Sequence, residues 1–456
     1  MQTVLNVIQF FVNLGPSVML PIVIFVVALC LGQKPGKALK SGISIGIGFV
    51  GIGLVIGLML DNLAPAASAM AKNFGLSMSV IDVGWPGSSP MTWASKIALF
   101  AIPIAIVTNL IMLVLRLTRV VNIDIWNIWH YAFTGALLNI ATGSFWIGVV
   151  GIIIHAALSY KFGDWFSPVT EDYFGLEGIA IPHGSSAWFG PVAVPIDCLL
   201  NKIPGIKDIN ISTDKIASKF GAVGDPAIMG GILGVLIGAL AGYDVKGVLT
   251  LGIQMAAVII LMPQVVKHIM TGLLPISESA KKMLQKRFSG GNFYIGLDPA
   301  VLLGDSTVVT ASLIFIPLTI LIAMIVPGNQ VLPFGDLATI GFFVAMAVGI
   351  HKGNLFRTLI SGSIIMFIAI WISNQTIGFH TILAQNAGQL KNGVTKVASL
   401  DQGGSPITYI LTQVFNATNL PGFIVIGVGY VFCLIFTYFW YKDKKKEMEN
   451  KEEMTV

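Results

Sequence analysis

Eleven apolar runs, at about residues 7–31, 42–60, 96–115, 125–141, 144–160, 225–243, 247–266, 306–327, 335–351, 356–378 and 419–441, constrain this chain more than any other feature. Each is close to the ~20 residues that a helix needs to cross a bilayer core. Only 11% of the residues are charged and 55% are hydrophobic, whereas soluble domains carry roughly 25% charged residues. The chain therefore lacks the polar surface to dissolve. Continuous Leu, Ile, Val and Gly runs suit helices rather than the alternating strands of a barrel. The expected fold class is an all-α, multi-pass membrane protein, with one membrane domain over residues 1–456 ending in a short tail at 442–456. Cys30, Cys198 and Cys433 are isolated in or beside apolar segments. They read as small buried hydrophobes, neither disulfides nor metal ligands. No basic segment precedes the first run, and it is long enough to span, so no cleavable leader is expected.

The basic residues orient the chain. Lys34, Lys37 and Lys40 follow the first run, Arg116 and Arg119 the third, and Lys161 the fifth. Lys202, Lys207, Lys215 and Lys219 crowd the next polar stretch, and Lys267, His268, Lys281, Lys282, Lys286 and Arg287 form the densest cluster, in an expected polar loop at 267–292. Lys352 and Arg357 lie between the ninth and tenth runs, and the tail is rich in lysine. With eleven spans all these clusters share one side, which places the N-terminus outside and the C-terminus in the cytoplasm. Three apolar stretches remain uncounted: 83–93, 179–200 and 403–411. The middle one is flanked by cytoplasmic loops on both sides and is expected to enter and return as a re-entrant hairpin.

Residues 81–93 hold Gly84, Pro86, Gly87 and Pro90, which argues against a regular helix there. They also hold Trp85, Trp93, Ser88, Ser89 and Thr92. The string Gly87–Trp93 returns in similar form at Gly403–Tyr409. Two ordinary turns that look alike would explain this. So would broken backbone lining a wet cavity, the one place where it is tolerated at membrane depth. Short matches between Pro21–Ile24 and Pro317–Ile320, and between Gly46–Val50 and Ile340–Val344, hint at an inverted repeat.

Ionisable groups in spans cost roughly 2.5–3.5 kcal/mol each on insertion scales, so each calls for a reason. Asn127, His130 and Thr134 share a helix face in the fourth run. Amide, imidazole and hydroxyl on one stripe suit a polyol, or else hydrogen bonds between helices. His183 lies in an Ile-Pro-His-Gly-Ser-Ser turn six residues after Glu177, either as a functional group at a hairpin tip or as a structural one. Asp298, in Gly-Leu-Asp-Pro-Ala, either caps the eighth span or places a carboxylate at the cytoplasmic mouth. Asp305 reads as a helix cap, His155 as a satisfied core residue, and His351, beside Lys352, as a membrane-surface anchor. There is no phosphate-binding GxxxxGK[ST] loop, paired CxxC, HExxH or dinucleotide fingerprint on a soluble unit.

The strings Ile81–Pro90, Ile125–His130, Glu177–Gly184, Gly296–Ala300 and Pro327–Thr339 are long and unusual. Through them, from near residue 14 to about 441, the chain resembles the galactitol-specific membrane (IIC) components of the sugar phosphotransferase system, in its ascorbate–galactitol group. The resemblance implies an eleven-span homodimer in the bacterial inner membrane, with a fixed scaffold, a mobile core bearing re-entrant hairpins, and elevator-like motion. It implies inward movement of galactitol and its phosphorylation by a phosphocysteine on a separate IIB protein, which a IIA protein supplies. No cofactor, metal or nucleic acid is expected. On this reading the catalytic candidates are His183, Asp298 and Glu177. The candidate substrate contacts are Gly51, Trp85, Gly87, Ser88, Ser89, Asn127, His130, His183, Gly184, Ser185 and Asp298. A basic rim, Lys281–Arg287 or Lys202–Lys219, would attract an acidic phosphoprotein. The rival readings are an ion-coupled secondary transporter of a polyol or sugar and a membrane-embedded enzyme or receptor without transport.

Overall fold

The computed structural model describes residues 16–73, 75, 80–213, 226–287, 293–333, 335–336, 339–390 and 396–455. Each apolar run coincides with a helix over most of its described length, residues 7–15, 225, 337 and 338 lying outside the described residues. In chain order the first half contains α1 (Pro16–Cys30), α2 (Pro35–Asn73), β1 (Val80–Asp82), α3 (Gly84–Trp93), α4 (Ala98–Val114), β2 (Val120–Asn122), α5 (Ile125–Thr142), α6 (Phe145–Asp172), β3 (Ile179–Ala180), α7 (Gly184–Ala187) and α8 (Gly190–Leu200). The second half contains α9 (Pro226–Leu240), α10 (Val245–Arg287), β4 (Tyr294–Gly296), a 3-10 turn (Pro299–Gly304), α11 (Ser306–Ile325), β5 (Val331–Leu332), α12 (Ile340–Ile350), α13 (Leu355–Asn386), β6 (Val397–Ala398) and α14 (Pro406–Phe415). A final helix, α15 (Leu420–Thr455), carries the expected tail as its own extension.

Among the described residues, four helices are long and apolar enough to cross a membrane: Phe145–Asp172, Ser306–Ile325, Leu355–Asn386 and Leu420–Glu447. A fifth candidate is the pair Gly87–Trp93 and Ala98–Val114, bent by 89°. Exposed apolar side chains such as Val425, Val428 and Phe439 on α15 and Ile253 on α10 suit contact with lipid.

Four expectations need correction. Residues 84–93 do form a helix, because Pro86 falls in the first turn, where N–H groups have no acceptor within the helix; only Pro90 removes a bond. The stretch 267–287 is the second half of a 43-residue helix rather than a loop. Its Lys, Glu, Gln, Leu, Met and Ala are good helix formers. The fold is not purely α: six short strands make two parallel three-stranded sheets, ordered β5-β1-β6 and β2-β4-β3. Cys30 is exposed, while Cys198 and Cys433 are half-buried and all three are free thiols.

The two halves repeat one order of elements. Matching helices start at residues 35 and 245 and at residues 145 and 355, each pair 210 apart. The short string matches seen in sequence instead pair α1 with α11 and α2 with α12, which this order does not. Each sheet takes its central strand from one half and both outer strands from the other. Val80 and Ile81 of β1 pair with Val331 and Leu332, and Ile81 and Asp82 pair with Val397 and Ala398. Tyr294–Gly296 of β4 pairs with Val120–Asn122, and Ile295–Gly296 with Ile179–Ala180. Strands this short are held by packing rather than by their own propensity. They pin the chain where the helices break.

Candidate functional site

The site is built where the helices that follow the strands begin. After β3 the chain turns through Pro182 and His183 into α7. His183 caps that helix: its Nδ1 accepts from the Ser185 amide at 3.3 Å and lies 2.9 Å from Ser185 Oγ. Its Nε2 is 3.3 Å from Asp298 Oδ2. Asp298 caps the 3-10 turn, with Oδ1 accepting from the Ala300 amide at 2.8 Å, and the eighth span is capped instead by Asp305. The Asp298 amide donates to Asp124 Oδ2 at 3.1 Å. Asp124 Oδ1 accepts from the Trp126 amide at 2.9 Å, which starts α5. One carboxylate thus ties the start of α5 to the 3-10 turn.

One and a half turns along α5, His130 Nδ1 accepts from the Gly184 amide at 3.1 Å. The two imidazole rings stand edge-on, 4.1 Å apart. An added Cβ on Gly184 would lie 2.7 Å from His130 Nδ1 and 2.5 Å from Gln402 Nε2, so only glycine lets these groups meet. The tautomers follow from these bonds, because a backbone amide can only donate. Nδ1 of both histidines is the acceptor, and Nε2 carries the proton. Neither imidazole keeps a lone pair for a substrate proton; the carboxylates do.

The opposite face comes from the second half. Asp401, three residues past β6, places Oδ2 at 3.4 Å from His130 Nε2. Gln402 Nε2 donates to Asp401 Oδ1 at 3.3 Å. Asp336 holds this tip: its Oδ2 accepts from the Asp401 amide and from Ser399 Oγ, each at 2.9 Å, and its Oδ1 from the Trp85 amide at 2.9 Å. The Asp336 amide in turn donates to Asp82 Oδ2 at 3.0 Å. Several buried polar atoms here have no hydrogen-bond partner: Asn127 Oδ1, His130 Nε2, Gln402 Oε1, Ser405 Oγ and His380 Nδ1. Burying such groups unpaired costs about 1–3 kcal/mol each.

Of the residues singled out by sequence, Asn127, His130, His183, Gly184, Ser185 and Asp298 come together. Trp85, Gly87, Ser88 and Ser89 lie beside them on α3. The Trp85 ring meets Trp126 edge-on at 5.7 Å. Ser88 Oγ is 3.2 Å from His380 Nε2. Ser89 is buried, and Gly87 leaves room for Val83 on its own helix. Two candidates fall outside. Glu177 is exposed on the turn before β3. Gly51 packs α2 against α10, where an added Cβ would lie 2.7 Å from Val265. Thr134 turns from the site to His155 Nδ1 at 2.7 Å and Thr408 Oγ1 at 2.8 Å. His351 is buried rather than a surface anchor: it binds Ser361 Oγ at 2.6 Å and Asp197 Oδ1 at 2.9 Å, and Arg357 joins Asp197 at 2.8 Å. Sequence reading missed Asp401, Gln402, Asp336, Asp82, Asp124 and His380. The likeness of 403–409 to 87–93 pointed to the right tip but began just after the polar pair at 401 and 402. Among the described residues no group of three or more His, Cys, Asp or Glu side chains could hold a metal ion.

Comparison with known proteins agrees with this architecture. Residues 10–396 match the EIIC-GAT family, described as the PTS system sugar-specific permease component. The chain is 63% identical over 433 residues to the PTS system galactitol-specific EIIC component of Escherichia coli strain K12, covering 95% of this chain and 96% of that one. The protein of that name from Escherichia coli O157:H7 gives the same identity and coverage. With most of its length matched by the family and by these relatives, the chain belongs to the sugar-specific permease components of the phosphotransferase system.

Proposed function

We propose that this chain imports galactitol across the bacterial inner membrane and presents it for phosphorylation by a phosphocysteine-bearing IIB protein, itself charged by a IIA protein. The identity of 63% to a galactitol-specific component carries this reading. The buried, hydroxyl-matching groups around His130 and His183 support it. The proposed topology has eleven spans, with five in each half and α15 last. Five is odd, so the second half runs in the opposite sense to the first, an inverted repeat. The N-terminus is outside and the C-terminus cytoplasmic. The β2-β4-β3 sheet then lies on the cytoplasmic side and the β5-β1-β6 sheet on the outer side. Helices α1, α2, α9 and α10 pack together as the scaffold of a homodimer, and the sheet-linked helices form a core that moves against it.

The chemistry is phosphoryl transfer, which depends mainly on positioning and electrostatics. A terminal hydroxyl of galactitol attacks phosphorus in line with the cysteine sulfur; the S–P bond breaks, the O–P bond forms and the thiolate leaves on IIB. Asp298 takes the hydroxyl proton, since His183 Nε2 is itself a donor. The histidine orients that carboxylate. The product carries about two negative charges and is repelled by Asp298 and Asp401. Release is therefore favoured, and uptake runs one way without an ion gradient.

The test uses inverted membrane vesicles containing the chain, supplied with IIA, IIB, the general phosphotransferase proteins and phosphoenolpyruvate. Labelled galactitol is expected to become galactitol phosphate, and Asp298→Ala to abolish it. Uptake that is independent of IIB and collapses with a protonophore would establish the ion-coupled rival instead.

A further inference from the structure

The tip of the second hairpin holds a polar pair that the phosphoryl-transfer chemistry does not use. Asp401 and Gln402 are buried, and Asp401 is fixed from behind by the hydrogen bond that its backbone N–H donates to Asp336 Oδ2. Gln402 spends its amide nitrogen on Asp401 Oδ1 and leaves Oε1 unpartnered. His130, held from the other side by the Gly184 amide, leaves its Nε2–H unpartnered, 3.4 Å from Asp401 Oδ2. One donor and two acceptors are thus fixed side by side.

We infer that Asp401 and Gln402, with His130, form a second subsite that reads the hydroxyls neighbouring the one that is phosphorylated, and so decide which polyol is accepted. This rests on the import reading above. A hydroxyl both accepts and donates. One hydroxyl can accept from His130 Nε2–H while donating to Asp401 Oδ2, and the next can donate to Gln402 Oε1. The two acceptors come from consecutive residues on a rigid tip, so they match one relative configuration at two adjacent carbons. An epimer that turns one hydroxyl away leaves a buried carboxylate or amide unpaired, which is how a site rejects close analogues strongly. The division of labour follows from the fold. Asp298 and His183 belong to the proposed cytoplasmic sheet, nearest the phosphoryl donor. Asp401 and Gln402 belong to the outer one, where they grip the adjoining carbons of the polyol.

The experiment is calorimetric titration of the purified full chain with galactitol, sorbitol and mannitol, alongside phosphorylation in vesicles. Asp401→Asn is expected to weaken galactitol binding roughly tenfold or more and to bring the galactitol-to-sorbitol preference towards one. Gln402→Leu is expected to erode the same preference with a smaller loss of affinity. Asp298→Asn instead removes phosphorylation while keeping the order of preference. If Asp401→Asn does not yield a folded protein, Gln402→Leu decides the matter. Both variants folded with the wild-type preference intact would overturn the subsite, leaving the import reading standing. No polyol binding by the unchanged chain would remove both.

Discussion

In the β2-β4-β3 sheet the chain of polar contacts runs from Asp124 through Asp298 to a histidine, His183; in the β5-β1-β6 sheet it runs from Asp82 through Asp336 to another carboxylate, Asp401. His183 and Asp401 occupy matching places, each three residues beyond the end of its strand. The frames agree and the termini differ. The histidine tip leaves Asp298 Oδ2 with only a 3.3 Å approach to an imidazole. The carboxylate tip is held by four donors on Asp336 alone: the Trp85 and Asp401 amides, Ser399 Oγ and, at 3.4 Å, Thr339 Oγ1. On the proposed reading, a shared scaffold carries one tip whose carboxylate is free to take a proton and one whose side chains are fixed to recognise.

The largest effect is expected where the tips touch. Gly184→Val drives carbon into the Gln402 side-chain amide and the His130 ring, which even an added Cβ would approach to 2.5 and 2.7 Å. It is expected to lower galactitol phosphorylation more than a hundredfold, measured in vesicles at matched protein levels. Gly378→Ala, where an added Cβ meets nothing within 4 Å, is the control and should keep full rates. Equal loss in both would mean that the contact between tips is unimportant.

Next in size is the hub of the β5-β1-β6 tip. Asp336→Asn turns an amide NH2 towards atoms that already donate, stranding at least one of the Trp85 amide, the Asp401 amide and Ser399 Oγ. A cost of about 2–4 kcal/mol is expected from bonds to a charged group, read as a fall in the thermal unfolding midpoint. Asp124→Asn, which disturbs two amide donors, should cost less. The reverse order would show that the β2-β4-β3 tip is the more tightly built of the two.

Part of this was legible in the sequence. The spacing of Asn127 and His130, the Pro-His-Gly turn at 183 and the Asp-Pro step at 298 each place a polar group at a helix start or on one helix face, a local property. The pairing of Asp336 with Asp82 was not legible, because the partners are 254 residues apart and meet only through strands of two or three residues. Such strands have too few side chains to display a period. Helix α3 was missed for a related reason: proline counts misled where proline position mattered. The helical stretch 267–287 was hidden because its charges looked like a loop, although its residue types favour a helix. Asp401 and Gln402 lay just outside the repeated string, and only the matching strand ends reveal them as counterparts of His183 and Gly184.

The smallest effect separates the two tips most cleanly, since each carries a serine against its key side chain. Ser399 Oγ donates to Asp336 Oδ2 at 2.9 Å and accepts from the Asp401 amide at 3.2 Å. Its loss leaves Asp336 with two backbone donors, so Ser399→Ala should cost about 1 kcal/mol of stability and change turnover less than twofold. Ser185 Oγ stands 2.9 Å from His183 Nδ1, beside a longer 3.3 Å bond from its own amide. Without the hydroxyl the imidazole is held by that weaker bond alone, and its Nε2–H is less firmly directed at Asp298. Ser185→Ala should therefore slow phosphorylation several-fold while the unfolding midpoint moves little. Paired melting and turnover measurements on the two variants check this. Should Ser185→Ala instead unfold early with normal turnover, and Ser399→Ala slow the reaction, the roles given to the two tips would have to be exchanged.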